Sequence, residues 1–189
     1  MSGSDPSDGA TQGFFDVAQN LESSRPWALT PIRVLMQHLA LVIATCGYVG
    51  YVPIAPGTAG SAVGLALLWA VRSTGSPAIE VALVVVLAVA GIWSAGVAER
   101  RLGSVDPGPV VIDEVVGMLI TLLLLPVNAA GACAGFLVFR VLDIVKPWPA
   151  GRLEALPGGI GIMADDAMAA VYGYLIMRGL IVMAPGWLT

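Results

Sequence analysis

Charge is scarce in this chain. Of its 189 residues only 12% are charged and 57% are hydrophobic, with a mean hydropathy of +0.86, whereas soluble domains carry about one quarter charged residues. A water-soluble protein of this size would need more polar side chains to cover its surface, so a membrane protein is expected. Histidine occurs once, at His38, and no Cys-x-x-Cys is present, which excludes a zinc site on inventory. No basic cluster exists to neutralise phosphates along a strand, which excludes nucleic acid as a partner. The two cysteines, Cys46 and Cys133, are far apart in apolar surroundings. They predict no structural disulfide, and each reads as a small core residue.

What polarity there is lies unevenly. Residues 1–30 hold Asp5, Asp8, Asp16 and Glu22 against Arg25, among Ser, Gly and Pro. Such a stretch cannot bury enough apolar surface to offset its chain entropy and is expected to be a disordered acidic tail. It lacks the basic start and apolar run of a secretory signal peptide. Residues 31–189 are expected to form the membrane-embedded domain.

Within that domain apolar stretches alternate with short Gly/Pro or polar breaks. Residues 61–71 end at Arg72. Residues 78–98 contain one ionisable group, Glu80, and match the roughly 20 apolar residues that cross a bilayer. Residues 110–125 and 131–145, joined only by 126–130, predict an antiparallel helical hairpin. Residues 164–184 make a final apolar segment interrupted by Arg178, and 32–50 could either span or lie along the interface. The expected fold is all-α, a polytopic membrane helical bundle with about four to five transmembrane or re-entrant helices. If each segment spans, the breaks at 51–60, 99–109 and 146–163 share one side. That side carries Arg100, Arg101, Lys146 and Arg152 against Arg72 on the other, so it is expected to be cytoplasmic by the positive-inside rule.

The same alternation brings the polar motifs to that side. The Pro56-Gly57-Thr58-Ala59-Gly60-Ser61 run opens one segment, and Asp113-Glu114 begin another. Arg140, Asp143 and Lys146 end a third, and Asp165-Asp166 start the last. Five carboxylates at one depth repel unless protonated or bridged by a cation. Oxygen ligands without His or Cys select Mg²⁺, Mn²⁺ or Ca²⁺. Arg140 and Asp143 share a helix face, and a simple ion pair stays open beside the reading in which Asp143 holds metal while Arg140 or Lys146 grips phosphate. Gly57, Thr58, Gly60 and Ser61 either cap and pack a helix start or offer an anion its free N–H groups and hydroxyls. Gly158-Gly159-Ile160-Gly161 could, similarly, be only a flexible turn.

Elimination narrows the chemistry. Histidine-based phosphatases need residues this chain lacks. No Cys-x5-Arg, Asp-x-Asp or CDP-alcohol phosphotransferase pattern occurs. Water attacking a phosphate with cation assistance remains. An ion-pathway role is the competing class, since intramembrane acids also mark transporters and channels.

Four blocks resemble the signatures of the phosphatidylglycerophosphatase A family. They are Pro56 to Ser61, Ile112 to Gly117, Phe139 to Pro149 (FRVLDIVKPWP) and Gly158 to Asp166 (GGIGIMADD), in the family's order and spacing over roughly residues 35–178. The resemblance implies a multi-pass, all-helical enzyme of the bacterial inner membrane with its site facing the cytoplasm. It implies hydrolysis of phosphatidylglycerophosphate to phosphatidylglycerol and phosphate with Mg²⁺, and a phospholipid as the partner. The expected catalytic residues are Asp113, Glu114, Asp143 and Asp166; the metal ligands are these with Asp165. Gly57, Thr58, Gly60, Ser61, Arg140 and Lys146 are expected to bind phosphate. Family members often carry an aromatic where this chain has Ile112, and many carry His where it has Pro157, so no histidine base is carried over.

Overall fold

The structure, a computed structural model, describes residues 31–189; the acidic tail expected at 1–30 lies outside the described residues. The chain divides into two compact units, up to Met36 and from Gln37 to Thr189, and everything below concerns the second. Among the described residues all regular structure is helical. The helices are α1 (Pro31–Ala44), α2 (Pro56–Arg72), α3 (Pro77–Leu102), α4 (Ile112–Thr121), α5 (Ala129–Val145), α6 (Ala150–Leu153), α7 (Gly159–Met183) and α8 (Pro185–Leu188), with a 3-10 turn at Val49–Tyr51.

Two helices, α3 and α7, are long and apolar enough to cross a membrane. Their 26 and 25 residues rise about 38 Å, more than the ~30 Å hydrocarbon core. Large side chains such as Val85, Val86, Val89, Leu175 and Val182 are exposed along them. Apolar surface so continuous is a liability in water and suits lipid, in keeping with a membrane protein. Helix α1, with 14 residues, rises only about 21 Å.

The centre of the bundle is a short helix. Helix α4 ends at Thr121, not at the close of the apolar run near Leu125, and eight of its 10 residues are buried. It packs against α2, α3, α5 and α7. Its apolar character therefore serves a protein core and not a lipid-facing span. Helix contacts without a hydrophobic gradient depend on close approach, and glycines provide it. A Cβ on Gly64 would meet Val115 O at 2.7 Å and Met118 Cβ at 2.9 Å, which fixes α2 on α4. Gly117 accepts the Phe139 ring of α5 so closely that any side chain there would collide with it.

Three sequence expectations change. Gly158-Gly159-Ile160-Gly161 is the cap and first turn of α7, not a flexible turn: a Cβ on Gly159 would strike Ile92 O and lie 2.7 Å from Gly96 N of α3. Asp165 and Asp166 consequently sit in the second turn of α7 and not at its start. Cys133 is exposed on the outer side of α5, while Cys46 is half-buried; both are free.

The helix ends opposite α4's N-terminus are locked by a pair that spacing did not reveal. Arg72 Nη2 donates to Glu80 Oε1 at 3.1 Å and to Leu122 O at 2.7 Å, and Glu80 Oε1 accepts from Leu124 N at 2.8 Å. Leu124 adopts φ +55°, a left-handed conformation that needs such support. One ion pair thus closes both the α2–α3 and α4–α5 connections.

Candidate active site

The other end of the bundle is built from the starts of α2, α4 and α7 and the close of α5. Asp113 and Glu114 occupy the first turn of α4, where carboxylates favour the positive end of the helix dipole. Phe139, wholly buried against Gly117, anchors the turn of α5 that carries Arg140 and Asp143. The α3–α7 glycine contact sets the height of α7 and so of Asp165 and Asp166.

Among the described residues, Asp113, Glu114 and Asp166 form a group whose ligand oxygens lie within 4.8 Å of one another. Each has a buried oxygen with no hydrogen-bond partner: Asp113 Oδ1, Glu114 Oε2 and Asp166 Oδ2. Buried carboxylate oxygens are ordinarily satisfied, and three neighbouring carboxylates that each keep an orphaned oxygen suit a hard cation. The group could hold a metal ion.

The other two carboxylates are held by bases. Asp143 Oδ2 is 2.5 Å from Arg140 Nη1, whose guanidinium also approaches Glu114 Oε1 at 3.9 Å. Asp143 also stands beside Asp166, so it belongs to the edge of the trio. Asp165 Oδ2 accepts from Lys146 Nζ at 2.5 Å, and Glu154 Oε2 lies 3.4 Å from the same ammonium. Lys146 caps α5 at φ +45°, strained for a side chain other than glycine. Desolvation would lower its pKa, but the hydrogen bond and charge of Asp165, with Glu154 and Asp106 beyond, raise it above the usual lysine range.

The glycine-rich start of α2 meets this centre at one point. A Cβ on Gly57 would collide with Glu114 Oε1 and sit 3.0 Å from both Arg140 terminal nitrogens. Gly60 packs on Val111, with room for no side chain. Ser61 is buried and its hydroxyl donates to Gly57 O at 2.9 Å. The Thr58 and Ala59 amides both donate back to Ala55 O, at 3.0 and 3.2 Å, and Thr58 is exposed. The geometry thus joins Gly57 to Arg140 and Glu114 directly, while Gly60 and Ser61 hold the backbone behind it.

One residue absent from the sequence motifs joins the site. Asp106 lies in the 103–111 connection at φ +46°, a conformation Asp tolerates better than most residues. Partial desolvation raises its carboxyl pKa, Lys146 opposes this, and Asp165, Glu154 and Asp143 add to it. Exposure of the side chain screens these effects. An acid beside Pro107-Gly108-Pro109 reads locally as a turn, so only the fold reveals its neighbours. Pro157 lines a cavity of about 560 Å³ with Glu99, Arg100 and Gly158.

This acidic trio with two bases nearby could hold a cation, and comparison with known proteins gives the chain a family. The family model for phosphatidylglycerophosphatase A matches residues 42–181. The chain belongs to the phosphatidylglycerophosphatase A family. It is 37% identical to the phosphatidylglycerophosphatase A of Escherichia coli K12 over 160 residues, covering 82% of this chain and 84% of that protein. The Haemophilus influenzae phosphatidylglycerophosphatase A is 33% identical over 130 residues, covering 68% and 80%. A Bacteroides thetaiotaomicron protein, provisionally named a phosphatidylinositol-3-phosphatase, is 40% identical over 146 residues, covering 74% and 91%. No solved structure matches. Membership makes the protein a phosphatase, and it leaves the transporter or channel reading without support.

Proposed function

We propose that the protein hydrolyses the terminal phosphomonoester of phosphatidylglycerophosphate, releasing phosphatidylglycerol and inorganic phosphate. The observation that carries the reading is the orphaned trio of Asp113, Glu114 and Asp166 set between Arg140 and Lys146. In this reading the trio holds Mg²⁺, with Asp143 and Asp165 at its edge. When bound, the cation would neutralise phosphate charge and favour attack by water.

Arg140 and Lys146 reach the site from one helix end and bind the non-bridging phosphate oxygens. Arginine suits planar, paired recognition and lysine a point contact. Asp143 and Asp165 keep these two cations aimed before substrate arrives. Gly57 lets the phosphate approach the α2 backbone, since any side chain there would occupy the space beside Arg140. Oxygen of water bonds to phosphorus as the glycerol oxygen leaves. The proton released from water passes to a carboxylate of the adjacent Asp113–Glu114 or Asp165–Asp166 pairs, and the departing alkoxide takes up a proton.

Arg100, Arg101, Lys146 and Arg152 on the site's side support a reading in which it faces the cytoplasm from a multi-pass inner-membrane protein. Arg152 stacks 6.0 Å over the Trp148 ring, a pairing suited to the headgroup region. The test is phosphate release from the lipid in detergent with EDTA, then with Mg²⁺ restored. Full activity of Asp143→Ala or Asp166→Ala would sink the metal assignment. The name of the Bacteroides relative motivates a second substrate, phosphatidylinositol 3-phosphate, to be offered in the same assay; preference for it would replace the first reading.

A further inference from the structure

An apolar groove of about 420 Å³ opens beside the site, lined by Leu142, Pro147, Trp148, Tyr172, Leu175 and Ile176. Its walls continue the two helices that carry the site. Leu142 adjoins Asp143, and Pro147 adjoins Lys146. Tyr172 follows Asp165 by seven residues, two helical turns along the same face and about 10 Å deeper. The Tyr172 hydroxyl donates to Trp148 O at 3.2 Å, which ties the connection after Lys146 to α7. Trp148, Leu175 and Ile176 are exposed on the outer surface, so the groove opens sideways to lipid, and the chain adjacency of Pro147 to Lys146 and the helical register of Tyr172 with Asp165 relate it to the site.

We propose that this groove seats the first methylenes of one acyl chain of the lipid substrate and so sets the depth at which its phosphate meets Arg140 and Lys146. The inference rests on the lipid phosphatase reading above. Continuity with the site is what selects the occupant. A groove of similar size, about 380 Å³, lies between α2 and α3 and is lined by Leu67, Ala82 and Val86 among others. It lies at the opposite end of those helices from the carboxylates. An acyl chain gains little by leaving bulk lipid for protein, because both are apolar. The groove therefore acts through position, and misplacement by about 1 Å can slow a reaction about a hundredfold.

The test compares wild type, Ile176→Trp, which fills the groove, and Ala82→Trp, which fills the remote one. Each is assayed on dioleoyl phosphatidylglycerophosphate in mixed micelles and on the soluble headgroup analogue glycerol 3-phosphate. Ile176→Trp should lower kcat on the long-chain lipid at least tenfold and change turnover of the soluble ester less than twofold; Ala82→Trp should change neither. Long-chain turnover by Ile176→Trp within twofold of wild type would overturn the proposal, as would equal losses on both substrates. Should the soluble ester be inert, a diazirine near the carbonyl end of the substrate's acyl chain decides. It should label the 172–176 segment, and equal labelling by a phosphatidylcholine carrying the same diazirine would refute the assignment. Wild type inactive on any phosphomonoester lipid would instead remove the parent reading.

Discussion

Replacing Asp166 by Asn should make the metal-free protein more stable while abolishing its activity. Ligand oxygens of Asp113, Glu114 and Asp166 lie within 4.8 Å of one another. At an effective dielectric of about 20, two unit charges at that separation repel by about 3.5 kcal/mol. Asp166 takes part in two such pairs, and 4.8 Å is the widest of them, so full ionisation would store about 7 kcal/mol or more. Proton uptake and local water lower that repulsion strongly, and a gain of about 1–3 kcal/mol is the expectation. For a chain of this length each kcal/mol moves Tm by about 2–4 °C. Asp166→Asn should therefore melt about 3–10 °C above wild type in detergent with EDTA.

Magnesium should reverse the order. A cation that binds only the folded protein adds about 2.7 kcal/mol at a hundred times its Kd, and the variant lacks one of the three ligands that would collect this. Wild type should rise with added Mg²⁺ and Asp166→Asn should rise far less. Thermal unfolding followed by intrinsic tryptophan fluorescence reads both conditions. An Asp166→Asn protein less stable than wild type in EDTA would show that Asp166 is a structural partner, and the frustration argument would fail. An equal Mg²⁺ shift in the two proteins would place the cation elsewhere.

Four further outcomes are expected. Glu80→Ala should lower stability by about 2–4 kcal/mol, a little under the roughly 3–5 kcal/mol for breaking a fully buried pair since Arg72 is partly exposed, because it strands Arg72 and frees Leu124 N; activity at 20 °C should persist, and its loss in folded protein would contradict the separation of the two ends. Gly117→Ala should cost about 1–3 kcal/mol by overpacking and reduce kcat by shifting Phe139 and hence Arg140; unchanged kcat would show that Phe139 does not position the arginine. Asp106→Asn should reduce activity without reducing stability at pH 7. A raised folded pKa makes the acid's contribution fully present only below its unfolded value and lost as pH rises through the folded one, so at neutral pH the ionised form gives nothing to lose. Lys146→Met should lower Tm by a constant amount from pH 7 to 9.5: the folded lysine is raised above its unfolded value of about 10.4, so the contribution is complete below that pH and lost only above it. A Tm difference that shrinks within the window would mean Lys146 titrates there.

Much of the site was legible because each block combines residue types that conflict with their surroundings. Asp113-Glu114, Asp143 and Asp165-Asp166 interrupt apolar runs, and the alternation of runs with breaks brings them to one end. What spacing could not show is how charges divide. Asp143 and Asp165 are held by bases, Asp165 keeping one orphaned oxygen, while Asp113, Glu114 and Asp166 have orphaned oxygens and no base this close, and that partition depends on side-chain directions across four helices. The fold was readable as helices but not as layers. Hydropathy scores the interior of α4 and the outside of α3 alike, so the run to Leu125 looked like a span where the chain builds a central core helix. Gly158 to Gly161 looked pliable because local sequence contains no trace of Ile92 and Gly96 lying against it. The Arg72–Glu80 pair was hidden for the same reason: its purpose is to hold Leu122 and Leu124, some 40 to 50 residues away.

These two ends are connected by one physical requirement. A site that gathers carboxylates stores repulsion in the metal-free state, and strained backbone at Ala55, Asp106 and Lys146 adds to it. Such a site keeps its geometry only if the surrounding helices cannot relax. Glycine contacts at Gly64, Gly117 and Gly159 remove the slack between α2, α3, α4, α5 and α7, and Arg72–Glu80 closes the far connections. Loosening a glycine contact should let the carboxylates drift apart. Activity would then fall, and part of the packing cost, about 1–3 kcal/mol at Gly117, would be offset in the metal-free state by relieved repulsion. A glycine-contact variant that loses activity and stability in strict proportion, with no such offset, would argue that the acidic end stores no strain at all.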